Sequence, residues 1–221
     1  MPDKALRIAV TDAVSVSAVR TPAKDARWTF IYAPGAGSNI HDPFGVYAAK
    51  ALASRGGTTV RFQFPYMEVG KRGPDRPPVL EATWRAVIEA ARDPKTRTVI
   101  GGRSMGGRIA SMVAASPESS AAADAVALFA YPLHPPGKPE QLRVAHFATL
   151  KAPTLFVSGT NDSFGTPDEL RAATKTLKKA KLHFLDRADH GFAVPKASGR
   201  TRQDVWAEAV NVFVAWLAAV E

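Results

Sequence analysis

The sequence predicts an α/β fold: a mostly parallel sheet with helices on both faces, in a single domain spanning residues 1–221. Two observations carry this expectation. Strand-like and helix-like patterns alternate along the chain after an opening pair of strand candidates, and that order builds parallel sheets. The chain has 221 residues, 46% of them hydrophobic, which suits one α/β domain with a sizeable core. No internal repeat is visible.

The opening strand candidates are residues 6–11 and 14–20, the second alternating valine with polar residues. Phe30-Ile31-Tyr32-Ala33 then reads as the first core strand and leads into the glycine-rich loop Pro34-Gly35-Ala36-Gly37-Ser38. Phe44, Tyr47, Ala48, Ala51 and Leu52 recur at helical spacing before Gly56-Gly57 stops the run. A strand is expected over 58–64. Pro77-Pro78 opens a helix whose apolar face is Leu80, Thr83-Trp84, Val87-Ile88 and Ala91, and Asp93-Pro94 closes it. Strands follow over 98–102 and 125–130, with a helix between them whose stripe is Met105, Ile109, Met112 and Val113. Strands ending near Asp162 and at Leu185, then a final helix marked by Val205-Trp206, Phe213 and Trp216-Leu217, complete the alternation.

Chemistry enters at Val99-Ile100-Gly101-Gly102-Arg103-Ser104-Met105-Gly106, an apolar run that stops at a serine flanked two residues either side by glycine. A serine held on a sharp strand-to-helix turn has strained dihedrals, and its neighbours must be small for the turn to close. Gly102 and Gly106 meet that demand. Downstream, Asp162 ends the β-rich run from Thr154, and His190 follows the strand ending at Leu185. The order Ser, Asp, His makes Ser104 the candidate nucleophile, His190 the general base and Asp162 the carboxylate that fixes its tautomer. Asp186 and Asp189 compete for the acid role, but successive side chains diverge, whereas a neighbouring strand end can present a carboxylate to the imidazole. An oxyanion hole needs two backbone N–H donors; Met105 and Ala36 are the candidates.

With these residues in view, the chain resembles the α/β-hydrolase superfamily over essentially its whole length. Residues 61–68, 101–108 and 131–138 further resemble the compact hydrolases related to testis-expressed and chromatin-complex hydrolase-like proteins. That resemblance implies the fold and a Ser-Asp-His triad, without a defined substrate. Pro34 stands where many hydrolases carry histidine before the oxyanion-hole glycine. A looser similarity to dienelactone hydrolases meets the absence of cysteine here, because their usual nucleophile is cysteine.

The rest bounds the function. Segment 131–151 is proline-rich and long enough for only a small lid, so an open site and a small-molecule acyl substrate are expected. Arg103 either binds an anionic substrate group, points to solvent or anchors a carboxylate; Tyr66 either shapes the pocket or packs a strand end. His134, alone in a proline-rich loop, is read as structural or solvated. Net charge is +9 from 29 basic and 20 acidic residues, which favours anionic partners, yet the basic residues are scattered. Lys175, Lys178, Lys179 and Lys181 form the densest group and read as a solvated helix face. No aromatic-interleaved basic stripe argues for nucleic acid. Without cysteine there are no disulfides or thiolate metal sites; no metal or organic cofactor is expected. No signal-peptide pattern or bilayer-length apolar run is present, so no membrane association is expected and the cytoplasm is the default compartment. A serine peptidase and a non-catalytic hydrolase-like module with a protein partner are the alternatives to an ester or thioester hydrolase.

Overall fold

The computed structural model describes residues 1–71, 73–117 and 123–220. Eight strands form one sheet in the order β1-β2-β4-β3-β5-β6-β7-β8. β1 (Lys4–Ala9) and β2 (Ser15–Thr21) pair antiparallel, and β2 pairs antiparallel with β4 (Gly57–Phe62). From β4 through β3 (Trp28–Ala33), β5 (Arg97–Arg103), β6 (Ala125–Phe129), β7 (Thr154–Gly159) and β8 (Ala180–Leu185), all pairs are parallel. The carboxyl ends of these strands therefore share one edge of the sheet, where ligands gather in open α/β folds.

Strand alternation divides the core into two layers. Phe30 and Tyr32 of β3 face α1 (Pro43–Ala53) and α6 (Arg202–Ala219), packing with Phe44, Leu52, Phe213 and Leu217. Ile31 and Ala33 face the opposite layer, where α3 (Pro77–Ala91) and α4 (Met105–Ala115) contribute Trp84, Val87, Ile109 and Val113. Both faces of the central strands are covered, so β3, β6 and β7 are buried along their whole length.

Two local expectations are corrected. The strand expected over 58–64 is β4 at Gly57–Phe62, because Phe64 is already the N-cap of a one-turn helix, α2 (Pro65–Glu68), that Pro65 opens. The lysine group does not lie on a helix face. The helix there, α5 (Pro167–Thr174), starts at a Thr166/Glu169 capping box and ends before it. Lys175 caps α5, Leu177 turns into the core, and Lys181 already belongs to β8. His134 is 5% exposed, with Nδ1 bonded to the Pro135 carbonyl and Nε2 3.3 Å from Glu169.

Candidate active site

The junction of β5 and α4 places Ser104 at the helix N-cap with φ 50° and ψ −122°. A positive φ on a residue with a Cβ stores backbone strain. Close packing imposes it: a Cβ on Gly102 would lie 2.0 Å from the Ala33 carbonyl oxygen, and one on Gly106 would lie 2.3 Å from the same atom. Only glycine lets β5 and α4 approach the end of β3 this closely. The Ser104 N–H donates to Phe129 O at 2.9 Å, and its carbonyl accepts from Arg108 N at 3.0 Å, so the turn is anchored on both sides.

His190 lies in a turn beyond β8 that Asp189 organises, its Oδ1 accepting from the Gly191 and Ala193 amides at 2.7 and 2.8 Å. Asp189 is thereby committed to the backbone, and Asp186 is exposed, 3.9 Å from Arg187. Asp162, after β7, is the acid that meets the imidazole. Its two oxygens lie 3.0 and 2.9 Å from His190 Nδ1, and Oδ1 also accepts from Phe164 N at 2.9 Å. The carboxylate is inaccessible to solvent. With Nδ1–H donating to Asp162, Nε2 keeps a lone pair for the Ser104 hydroxyl, 2.9 Å away. The Phe164 ring stacks on the imidazole, with centroids 4.0 Å apart. Desolvation of this kind strengthens the hydrogen bonds beneath it.

Met105 is the first residue of α4, so its N–H has no partner within the helix. It lines a cavity of about 670 Å³ together with Ser104, His190, Gly35 and Ala36. Tyr66 does not line that cavity. It is buried, and its hydroxyl accepts from Gly37 N at 3.0 Å, bracing the loop that carries Ala36. Burial pushes the Tyr66 phenol above its usual 10, so it stays protonated.

Arg103 lines the cavity and anchors a carboxylate. One guanidinium nitrogen lies 3.6 Å from Asp42 Oδ1, and another donates to the His190 carbonyl at 3.3 Å. Asp42 caps α1 through Gly45 N and accepts from Tyr32 Oη at 2.6 Å. Burial first, then the Asp42 charge, pushes the Tyr32 phenol well above 10. Sequence reasoning missed Asp42, Phe164, Arg108 and Arg143 as lining residues. Asp42-Pro43 was legible as a helix start, and Phe164 shares the turn of Asp162; the two arginines carried no local signal.

A groove of about 710 Å³ between β8 and α6, lined by residues such as Lys179, His183 and Trp216, is remote from Ser104 and contains none of these groups. Among the described residues no cluster of three or more His, Asp or Glu is arranged to hold a metal ion, and no helix is long and apolar enough to cross a membrane.

The sheet and the chemistry at its carboxyl edge define an α/β hydrolase. More narrowly, the chain belongs to the alpha/beta hydrolase domain family, whose model matches residues 26–218. Its fold is similar to Est1E from Butyrivibrio proteoclasticus, at 16% identity over 97% of this chain and 99% of that one, with a TM-score of 0.76. It is also similar to dienelactone hydrolase from Anabaena variabilis, at 21% identity over 97% of each chain, with a TM-score of 0.74. A third likeness is to an α/β serine hydrolase without lid from Xanthomonas campestris, at 20% identity over 98% and 96% of the two chains, with a TM-score of 0.72.

Proposed function

We propose that the protein hydrolyses an ester or thioester of a small carboxylic acid through an acyl-enzyme on Ser104. The observation that carries this reading is the unbroken relay from Ser104 Oγ to His190 Nε2 at 2.9 Å and from Nδ1 to the buried Asp162. As Oγ attacks the carbonyl carbon, its proton passes to Nε2 and Asp162 stabilises the imidazolium. The amides of Met105 and Ala36 receive the developing oxyanion. Collapse breaks the bond to the alcohol or thiol, which leaves with the proton from Nε2. Water then adds to the acyl carbon with His190 again as base, releasing the acid and restoring Ser104.

In this reading the whole chain acts as one domain, and residues 131–151 form a small lid-like segment. The chain's resemblance to the compact hydrolase-like proteins of the testis-expressed type, carried by residues 61–68, 101–108 and 131–138, is consistent with that reading. Arg103 serves the site by holding the histidine loop through the His190 carbonyl, and Tyr66 by holding the oxyanion loop. A cavity of about 670 Å³ suits a small acyl substrate better than a folded polypeptide.

The test is intact-mass detection of a fluorophosphonate adduct on the native protein. One adduct is expected, absent from Ser104→Ala and from heat-unfolded protein; no adduct on the native protein refutes the reading. In the same series, Asp162→Asn removes the acceptor that sets the imidazole tautomer and slows turnover by about 10⁴, while Asp186→Asn has no such effect. The reverse result transfers the acid role to Asp186.

A further inference from the structure

Among the described residues, the cavity over Ser104 is lined by more cationic than anionic side chains. Apart from the Ser104–His190 pair, its charged lining residues are Asp42, Asp75, Arg103, Arg108 and Arg143. Both acids are engaged. Asp42 accepts from Tyr32 Oη and Gly45 N and faces Arg103, while Asp75 accepts from Tyr66 N at 2.9 Å. Arg103 is held between Asp42 and the His190 carbonyl.

Arg108 and Arg143 differ. Among the described residues, no carboxylate lies within ion-pair distance of either. Arg108 donates to the Met112 thioether at 3.5 Å, a weak acceptor, and Arg143 donates to the Pro132 carbonyl at 3.2 Å. A guanidinium has five N–H donors, so among the described residues most donors on both side chains have no protein acceptor. Both residues are half-buried. Burial first, and then the charge of Arg108, lowers the Arg143 pKa, which means the two cations share one electrostatic environment.

Their backbones are anchored. Arg108 stands one helical turn beyond the nucleophile, its amide bonded to Ser104 O at 3.0 Å. The backbone of Arg143 is pinned twice, its carbonyl accepting from Tyr131 Oη at 2.6 Å and its amide donating to Leu133 O at 2.8 Å. Two like charges held together without a counterion disfavour the empty site, and an anion with planar or tetrahedral oxygens relieves that repulsion.

Resting on the hydrolase reading above, we infer that Arg108 and Arg143 form an anion subsite beside Ser104 and that the substrate is an ester carrying a carboxylate or phosphate group. The charge sits on the acyl or the alcohol portion, within one small group's reach of the reacting carbonyl. The net charge of +9 adds long-range attraction for such a substrate.

The test begins with the wild-type protein. Its kcat/KM is measured for 4-acetoxybenzoate and 4-acetoxyphenyl phosphate against neutral 4-acetoxybenzamide, and for the mono-4-nitrophenyl ester of adipate against 4-nitrophenyl hexanoate. At least one anionic ester is expected to exceed its neutral partner by about tenfold or more, the scale of a charge-assisted contact. The preferred arm tells carboxylate from phosphate and acyl side from alcohol side. Arg108→Gln and Arg143→Gln are expected to lower that ratio about tenfold, and the lysine variants to retain part of it. A second readout needs no variant: adipate or inorganic phosphate slows fluorophosphonate labelling of Ser104, and neutral adipamide does not. Labelling of Ser104 with neither anionic preference nor anion protection overturns the subsite and leaves the hydrolase reading standing. No labelling and no turnover overturns both.

Discussion

Replacing Ser104 by glycine and by alanine separates the strain of the elbow from the chemistry of its hydroxyl. Both variants lose the Oγ contact to His190, so their difference in stability reports the backbone conformation and the Cβ without the hydroxyl. At φ 50° and ψ −122°, alanine inherits the strain of the serine, of order 1–3 kcal/mol, whereas glycine occupies this region freely. Against that relief stands the greater chain entropy of unfolded glycine, about 0.5–1 kcal/mol, and the lost Cβ, at most about 0.8 kcal/mol for a fully buried methylene. Mid-range values for strain and entropy leave glycine ahead by about 1 kcal/mol, less whatever the Cβ contributes. At this chain length a gain of 1 kcal/mol raises Tm by about 2–4 °C. Urea unfolding and calorimetry of the two inactive proteins measure it. If Ser104→Gly is less stable than Ser104→Ala by about 1 kcal/mol, the ordinary penalty for glycine, the elbow stores no strain and the reasoning fails.

Two further predictions concern groups around the site. Tyr66→Phe leaves the Gly37 amide without the acceptor it has at 3.0 Å; a stability loss of about 1–3 kcal/mol is expected, with kcat falling more than KM rises, and unchanged Tm and kcat would show that the loop holds itself. Burial first, then the charge of Arg108, pushes His146 down to about 4. The unfolded chain binds this proton near 6.5, so it holds more protons between those values and stability falls as pH drops from 6.5 towards 4. His146→Gln, which retains a partner for the Ser111 hydroxyl bonded to Nε2 at 2.8 Å, is expected to flatten that slope; urea midpoints at pH 7 and 4.5 that change equally in both proteins refute it.

How much of this was legible depends on whether the signal was local. Gly102, Ser104 and Gly106 announce a tight strand-to-helix turn by spacing alone, and strand ends before Asp162 and His190 follow from short β-rich runs. The structure brings these three side chains within hydrogen-bonding distance at the sheet edge. The sequence did not decide between solvent, substrate and a carboxylate for Arg103, because Asp42 reaches it only through the placing of β3 beside β5. For Tyr66 the sequence left open pocket or packing, because both suit a residue after a strand's carboxyl end; its ring turns inward against Phe64. The lysine group misled for a different reason. Charge density says that a segment is solvated, not that it is helical, and the buried Leu177 interrupts any continuous polar face.

The guanidinium of Arg103 touches residues 42 and 190 from its own place at the end of β5, and so joins segments from the first third, the middle and the last part of the chain. Such contacts form only after loops of high sequence separation have closed, which is the slow part of folding for parallel sheets. A nascent or partly unfolded chain can hold helices and individual strand pairs and still lack the site. Reactivity at Ser104 is consequently a stricter gauge of completed folding than helical content, and a refolding experiment followed by both signals would show the helices returning first.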